Sequence, residues 1–307
     1  MYAPIAIFVY NREDHIKRLV ESLRSNALCR DSEVFIFSDG PKREADCSKV
    51  EAVRRYIRTL EDSDLFRTVT IEESPINRGL ARSIISGVTK VIEQYGRVIV
   101  LEDDLVVSEH FLGFMNAALD RYENDPKIWS VSGFSREIPY LSNLNTDVYF
   151  SVRAQSWSWG TWADRWKKVD WEVKEYASFK RSWKLRRAFN AGGNDMSSML
   201  DRQQCGAIDS WAIRFCFAQF CHQCYTVQPR LTFVQNGGQD GSGTNCNFVR
   251  EYAALSAQSD WKLRDFCEDE EINRQLKITR KKVPMWKRAG SYVLFVVFKG
   301  RFYKRKK

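Results

Sequence analysis

The segment Arg97-Val-Ile-Val-Leu-Glu-Asp-Asp-Leu105 joins an apolar run directly to three consecutive carboxylates. Residues 98–101 lack the polar alternation of a half-exposed strand, so we predict a central strand that is covered on both faces. The carboxylates follow at its C-terminal end, where open α/β sheets bind their ligands. Three adjacent acids repel one another, and Mg²⁺ or Mn²⁺ is the cation that hard oxygen ligands favour. The alternative is a solvated acidic turn.

Strands and helices alternate on both sides of this segment, which predicts an α/β fold with a mostly parallel central sheet flanked by helices. Apolar runs predict further strands at residues 5–10, 33–38, 68–71 and 129–133. Amphipathic helical patterns separate these runs, and residues 174–200 form a charged helical pattern that is interrupted at residues 191–195. Neither GxGxxG nor GxxxxGK[ST] is present, so the dinucleotide and P-loop fingerprints are excluded.

Three positions beside predicted strand or helix ends carry candidate ligand groups. Arg12 lies in the loop after the first strand, where a guanidinium can meet a base or a phosphate. Asp39 follows the second strand, and its place before Gly40-Pro41 suits either a turn or a ligand contact. Gly79 precedes a long helix, and a glycine there lets backbone N–H groups approach an anion.

Residues 149–171 are rich in tryptophan, and the five indoles are Trp157, Trp159, Trp162, Trp166 and Trp171. Indoles most often pack in cores, but sugars also stack on indole faces. We expect one or two of these side chains to line a pocket, and Trp159 is the candidate.

Residues 235–244 contain four glycines and hardly an apolar side chain. A segment of this composition is mobile unless something orders it. It is therefore either a plain linker or a lid over a ligand.

The formal charge of +9 is concentrated at one end of the chain. Residues 280–307 hold eleven Lys or Arg and no acid, which leaves 37 basic and 39 acidic residues in the rest. A nucleic-acid-binding groove needs basic residues across the folded surface, so nucleic acid is excluded as a partner. The tail also carries Tyr292-Val-Leu-Phe-Val-Val-Phe298, too short to span a bilayer but suited to its anionic surface. The alternative is a tail that docks on the body of the protein.

The eight cysteines are irregularly spaced and do not form the dense framework of a small secreted domain. The first ten residues lack the features of a signal peptide. We therefore expect a cytoplasmic protein that is peripherally associated with the inner face of the membrane. The segment Cys221-His-Gln-Cys224 is either half of a zinc site or a pair of buried thiols, and buried thiols are the commoner outcome.

The order of these parts resembles the inverting glycosyltransferases of the GT-A fold. It is similar above all to the N-acetylglucosaminyltransferase that starts complex N-glycans and to bacterial sugar transferases of polysaccharide clusters. The likeness covers about residues 4–250, and its most specific part is the Glu-Asp-Asp triplet in its strand context. The other matching parts are the loop with Arg12, Asp39, the Asp125-Pro-x-x-Trp129-x-Val-Ser132 stretch, the Trp/Gly segment and Asp209-x-Trp211.

The resemblance implies a metal-dependent inverting glycosyltransferase with a nucleoside-diphosphate sugar, expected to be a UDP-sugar, as donor. The residues it assigns to the nucleotide sugar are Arg12, Asp39, Glu102, Asp103 and Asp104, and the helix start adds Gly79 and Arg82 as further candidates. Asp39 would face the uracil. Asp104 would bind Mn²⁺ or Mg²⁺ on the diphosphate. Glu102 and Asp103 would contact the donor sugar and the ribose.

Asp209 is the catalytic base that the resemblance implies, whereas its position before a helical pattern also suits a simple N-cap. Ser210 stands where the animal enzyme has a second Asp, which leaves the acceptor open between a polysaccharide and a lipid-linked oligosaccharide. The N-terminal anchor of the luminal enzyme is not found, which favours a cytoplasmic bacterial enzyme.

This interpretation divides the chain into a nucleotide-sugar-binding half at residues 1–122, an acceptor-binding and catalytic half of the same domain at residues 123–279, and a membrane-association tail at residues 280–307. Two rival functions remain. One is a sugar nucleotidyltransferase, whose Gly-rich first loop is not found in Tyr10-Asn-Arg-Glu-Asp14. The other is a non-catalytic membrane-associated carbohydrate-binding protein that uses the tryptophans.

Overall fold

The computed structural model describes residues 1–136, 138–143, 145–239, 254–279 and 284–298 of the chain. Its strands are β1 (Ile5–Val9), β2 (Glu33–Ser38), β3 (Thr68–Glu73), β4 (Arg97–Glu102), β5 (Leu105–Val107), β6 (Ile128–Ser132), β7 (Val148–Ser151), β8 (Trp159–Trp162), β9 (Tyr225–Pro229) and β10 (Val234–Asn236). Eight of them form one sheet in the order β3-β2-β1-β4-β8-β6-β9-β7, and β5 pairs with β10 in a separate ribbon. In this order the first four strands, β3, β2, β1 and β4, are parallel to one another. Strands β8 and β7 are antiparallel to the strands beside them.

Helices cover both faces of this sheet. They are α1 (Glu13–Arg24), α2 (Cys47–Arg58), α3 (Leu80–Tyr95), α4 (Phe111–Tyr122), α5 (Ala163–Trp166), α6 (Tyr176–Phe179), α7 (Trp183–Phe189), α8 (Met196–Gln204), α9 (Trp211–Cys221), α10 (Glu270–Thr279) and α11 (Met285–Tyr292). Helices α1, α2 and α4 pack on one face, while α3, α8 and α9 pack on the other. The predicted α/β class, with a mostly parallel sheet between helices, is confirmed.

Strand β4 lies at the centre of the sheet, between β1 and β8. Ile99 and Leu101 face the core under α1 and α4, whereas Val98 and Val100 face the core under α3 and α9. All four side chains are buried. Both faces of the strand are thus covered, as the unbroken apolar run predicts. The strand ends at Glu102, and the chain turns before it enters β5.

The halves predicted at residues 1–122 and 123–279 share this one sheet, because β8 lies between β4 and β6. The functional division between them stays a prediction. The helical pattern of residues 174–200 is three short helices, α6, α7 and α8. In the described part of the chain, no helix is long and apolar enough to cross a membrane.

Trp159 is part of the core and not of a pocket wall. It is 1% exposed, and its ring stacks on Trp211 at 4.8 Å and on Trp166 at 5.7 Å between ring centroids. The cause is its place in β8, which is hydrogen-bonded between β4 and β6 and covered by α9. No indole face is left for a sugar, so the predicted stacking role of Trp159 does not fit this structure.

We predict that Trp159→Ala lowers the free energy of unfolding by about 3–5 kcal/mol, because it opens a large cavity among packed rings. Urea denaturation monitored by circular dichroism measures this change. Trp183→Ala is the matched control, since Trp183 is 72% exposed and its loss is expected to change stability by no more than about 0.5 kcal/mol. Equal stabilities of the two variants would contradict the core assignment.

Candidate active site

The carboxyl ends of β1, β2 and β4 meet at one edge of the sheet because these strands run parallel. Arg12 follows β1 and reaches across to the acids that follow β4. Its Nη2 donates to Asp103 Oδ1 at 2.5 Å and to Asp104 Oδ2 at 3.1 Å. The structure therefore brings together three of the predicted site residues in one ion-pair cluster.

The acidic triplet is largely withdrawn from water. The side chains of Asp103 and Asp104 are 5% and 12% exposed, so the alternative of a solvated acidic turn is wrong. Burial raises the pKa of Asp103 to about 6, although Arg12 opposes this shift. Burial, together with the charges of Asp104 and Asp103, raises the pKa of Glu102 to about 8. Glu102 thus keeps its proton at neutral pH, which reduces the repulsion within the triplet.

The donor set of this cluster fits a hard divalent cation that is also held by a substrate. Among the described residues, no group of three or more His, Cys, Asp or Glu side chains is arranged to hold a metal ion. Mg²⁺ and Mn²⁺ do not need such a group, because one or two carboxylates and substrate phosphates suffice. Asp103 Oδ2 is buried and has no hydrogen-bond partner in the described residues, so an oxygen ligand is still available beside Asp104. The role of Asp104 as metal ligand stays a prediction.

Asp39 and Gly79, which were predicted separately, are hydrogen-bonded to each other. The Asp39 carboxylate accepts bonds from the backbone N–H groups of Gly40 at 3.0 Å, Arg78 at 2.8 Å and Gly79 at 2.8 Å. Gly79 has a φ of 79°, a conformation that side chains disfavour, and it directly precedes α3. The anion at this helix N-terminus is therefore the Asp39 side chain. The Asp39 side chain thus joins the end of β2 to the start of α3 and forms no local turn, while its contact with a uracil stays a prediction.

A cavity of about 200 Å³ lies beside Asp39, between the ends of β2 and β3 and the first turns of α3. Arg78 lines this cavity, whereas the predicted Arg82 does not contribute to its wall and is exposed. Arg54 of α2 fixes the rim, since it donates to Ser74 O at 2.7 Å and to Asp39 O at 3.4 Å. Sequence reasoning missed both arginines. Arg78 was detectable as the neighbour of Gly79, but nothing local marks Arg54.

The start of the glycine-rich segment closes over Asp104. Pairing of β10 with β5 brings Gly237 and Gly238 to the acidic cluster, where Gly237 N–H donates to Asp104 O at 2.7 Å. A Cβ on Gly238 would lie 2.5 Å from Asp104 Oδ2. Residues 235–239 therefore form part of the candidate site and are not a plain linker. Residues 240–244, the rest of the predicted lid or linker, lie outside the described residues.

Asp209 lies just before α9 but does not cap it. The cap is Ser210, whose Oγ accepts a bond from Ile213 N–H, while Asp209 Oδ1 accepts from Arg214 at 2.9 Å. Its side chain is 47% exposed. Within the described residues, no hydrogen bond joins Asp209 to the acidic cluster. Trp211, the first residue of α9, stacks on Trp159, which pairs with Val100 of β4.

The segment Cys221-His-Gln-Cys224 behaves as a pair of structural thiols. Cys221 Sγ donates to Glu175 Oε2 at 3.5 Å, and Cys224 Sγ donates to Pro126 O at 3.3 Å. Burial raises the pKa of Cys221 to about 12, which disfavours the thiolate that zinc requires. Cys224 is buried, whereas Cys221 is exposed, so the buried-thiol interpretation holds for Cys224 alone.

We predict that Gly238→Ala displaces Asp104 and weakens Mn²⁺-dependent UDP binding about tenfold or more, since its methyl group overlaps Asp104 Oδ2. Isothermal titration calorimetry with UDP, with and without Mn²⁺, measures the effect. Gly290→Ala is the matched control, because nothing lies within 4 Å of a Cβ at Gly290. Wild-type UDP affinity in the Gly238 variant would show that this contact does not shape the site.

Comparison with known proteins places this architecture in a family. The profile described as "Glycosyl transferase family 2" matches residues 5–164, and no curated protein matches the chain. Among solved structures, S. aureus TarS matches with 17% identity and a TM-score of 0.33 over 48% of this chain and 25% of that chain. S. aureus TarS 1–349 in complex with UDP-GlcNAc matches with 17% identity and a TM-score of 0.33, again over 48% of this chain, and over 39% of that chain. The chain therefore spans well under half of these TarS chains. The family profile covers just over half of the present chain and includes β1 to β8 with the whole Arg12–acid cluster. The match confirms the resemblance to GT-A glycosyltransferases. The chain therefore belongs to glycosyl transferase family 2.

Proposed function

We propose that this protein is a metal-dependent inverting glycosyltransferase that transfers a sugar from a UDP-sugar to a polysaccharide or a lipid-linked oligosaccharide. The observation that carries the proposal is the partly buried Arg12–Asp103–Asp104 cluster at the carboxyl edge of the parallel strands. Membership of glycosyl transferase family 2 supports a glycosyl donor. Open α/β sheets bind nucleotides at this edge.

On the donor side, Asp104 would hold Mn²⁺ or Mg²⁺, with Asp103 beside it. When bound, the ion supplies positive charge to the diphosphate that leaves the sugar. Arg12 holds both carboxylates in place and adds a second positive charge at the same edge. The cavity beside Asp39 is the site that we assign to the base, with Arg78 in its wall. Glu102 is the residue that we assign to the donor sugar or the ribose.

On the acceptor side, we assign Asp209 as the general base that takes the proton of the attacking hydroxyl. Ser210 caps α9, so the Asp209 side chain is not needed for that task. Arg214 binds Oδ1 and orients the carboxylate, and Oδ2 has no partner among the described residues. A half-exposed carboxylate of this kind is able to meet an acceptor from solvent.

The rival functions receive less support. A carbohydrate-binding protein that uses the tryptophan cluster would need exposed ring faces, but Trp159, Trp162 and Trp166 are buried. A sugar nucleotidyltransferase would need a glycine-rich loop after the first strand, where this chain has Asn11 and Arg12. Anionic membrane is the partner that we propose for the basic tail, at the inner face of a cytoplasmic membrane, and nucleic acid is not a proposed partner.

The proposal is tested by the release of UDP from a panel of UDP-sugars, with Mn²⁺ or with EDTA. We expect release with at least one donor, and we expect Asp104→Asn to abolish its response to Mn²⁺ while the protein stays folded. Asp62→Asn is the control, because it removes the same charge from an exposed position. A Mn²⁺ response that is unchanged in Asp104→Asn would refute the role of this side chain. No UDP release from any donor would refute the proposed function.

We predict that Asp209→Asn reduces turnover about a hundredfold or more, as expected when a general base is lost. Donor affinity and melting temperature are expected to stay at wild-type values, because Ser210 provides the helix cap. Steady-state kinetics and thermal unfolding check both parts. Near-normal turnover would move the base elsewhere. Asp195 is a poor substitute, since Arg153 binds both of its oxygens at 2.9 and 3.1 Å.

A further inference from the structure

Helix α7 carries an exposed aromatic side chain within a dense run of cations. Residues 180–187 read Lys-Arg-Ser-Trp-Lys-Leu-Arg-Arg, with five basic residues and no acid. Trp183 is 72% exposed and Leu185 is 41% exposed. Large apolar side chains grouped on a surface mark an interaction site more often than scattered ones do.

The tail helix α11 is fixed to the body beside α7. Ser291 Oγ lies 2.6 Å from Ser198 Oγ of α8, and the Tyr292 hydroxyl donates to Lys180 O at 3.4 Å. The Arg186 guanidinium stacks on the Tyr292 ring at 4.9 Å, while both of its terminal nitrogens bond the buried Asp201. Asp201 thus neutralises the charge of Arg186 within this contact. The alternative interpretation, in which the tail docks on the body of the protein, is confirmed for residues 284–298.

Docking leaves two large apolar side chains at the start of α11 exposed. Met285 is 82% exposed and Trp286 is 71% exposed, whereas Phe295 is buried. A groove of about 470 Å³ runs between α11 and helices α7 and α8, and both Trp183 and Met285 line it. Its wall also holds Lys180, Arg181 and Arg187, and no acidic residue lines it. We use "docking face" for Trp183, Met285 and Trp286 with Lys180, Arg181 and Arg187.

We propose that the docking face binds the surface of an anionic bilayer, with Trp183 and Trp286 in the interfacial layer and the cations against lipid phosphates. This rests on the proposed function only in the general point that the enzyme works at a membrane. The docking face adds that α7, which belongs to the folded body, supplies part of the contact with the bilayer. Tryptophan at the headgroup level beside Lys and Arg is the composition of interfacial protein surfaces. A nucleic acid would pair with the cations but would leave the Met285 side chain in water.

The test is co-sedimentation of the full chain with vesicles of phosphatidylglycerol and phosphatidylcholine in equal parts, and with phosphatidylcholine alone. We expect binding to the anionic vesicles only. Trp183→Ala is expected to weaken it about tenfold, since one buried indole contributes on the order of that factor. Tyr2→Ala is the matched control, because it also removes an exposed aromatic ring, at the other end of the chain.

A charge-reversal pair separates the face from net charge. Arg181→Glu with Arg187→Glu is expected to reduce binding at least tenfold more than Arg55→Glu with Arg67→Glu, which makes the same charge change on exposed residues of another surface. Equal losses in the two pairs, or wild-type binding by Trp183→Ala, would overturn the proposal, and so would preferential binding to an oligonucleotide in competition. Melting temperature and UDP release are expected to be unchanged in every variant. Because vesicle binding is measured without a nucleotide sugar, it is decided independently of the proposed enzymatic function.

Discussion

The ion pairs of Arg12 with Asp103 and Asp104 allow a fully buried strand to end in acids. Residues 98–101 have no exposed side chain, so the charges that follow them are formed at the edge of the core. Removing water from a carboxylate is costly unless a countercharge lies within contact distance. Arg12 supplies it from the loop after the neighbouring strand β1, and the raised pKa of Glu102 lessens the repulsion within the triplet. The parallel pairing of β1 with β4 is therefore a condition for the site as well as for the sheet.

Two different devices neutralise the acids at this edge. The Arg12 guanidinium neutralises the acidic triplet, whereas three backbone N–H groups donate hydrogen bonds to Asp39. The second device fixes the entry to α3 and holds the wall of the neighbouring cavity, while the first leaves Asp103 Oδ2 without a partner among the described residues. The site thus has one rigid side and one side with spare hydrogen-bonding capacity. A cation with its own phosphate ligands matches the second side.

The parts of the fold that follow from local pattern were predictable. Unbroken apolar runs indicated β1, β2 and β4. Because ligands bind at the carboxyl ends of parallel strands, Arg12 and the acidic triplet were expected at the same edge of the sheet. The contacts that depend on distant segments were not predictable. Nothing near Leu105 indicates that residues 234–236 pair with it and carry Gly238 onto Asp104. Trp159 was misjudged because its burial depends on α9, which begins more than forty residues later.

The docking face also depends on a contact between distant segments that the sequence does not reveal. The basic and apolar pattern of residues 280–307 is visible in the sequence, whereas Trp183 is hidden in a charged helix that reads as ordinary surface. The two segments meet through the Tyr292 ring on the Arg186 guanidinium, together with the Ser291–Ser198 and Tyr292–Lys180 hydrogen bonds. Asp201 neutralises the charge of Arg186 at this contact. Two weak membrane contacts on one rigid body bind more tightly than either does alone, since the second contact is made at high effective concentration. The buried Arg186–Asp201 pair therefore helps to join the tail and the body into one surface.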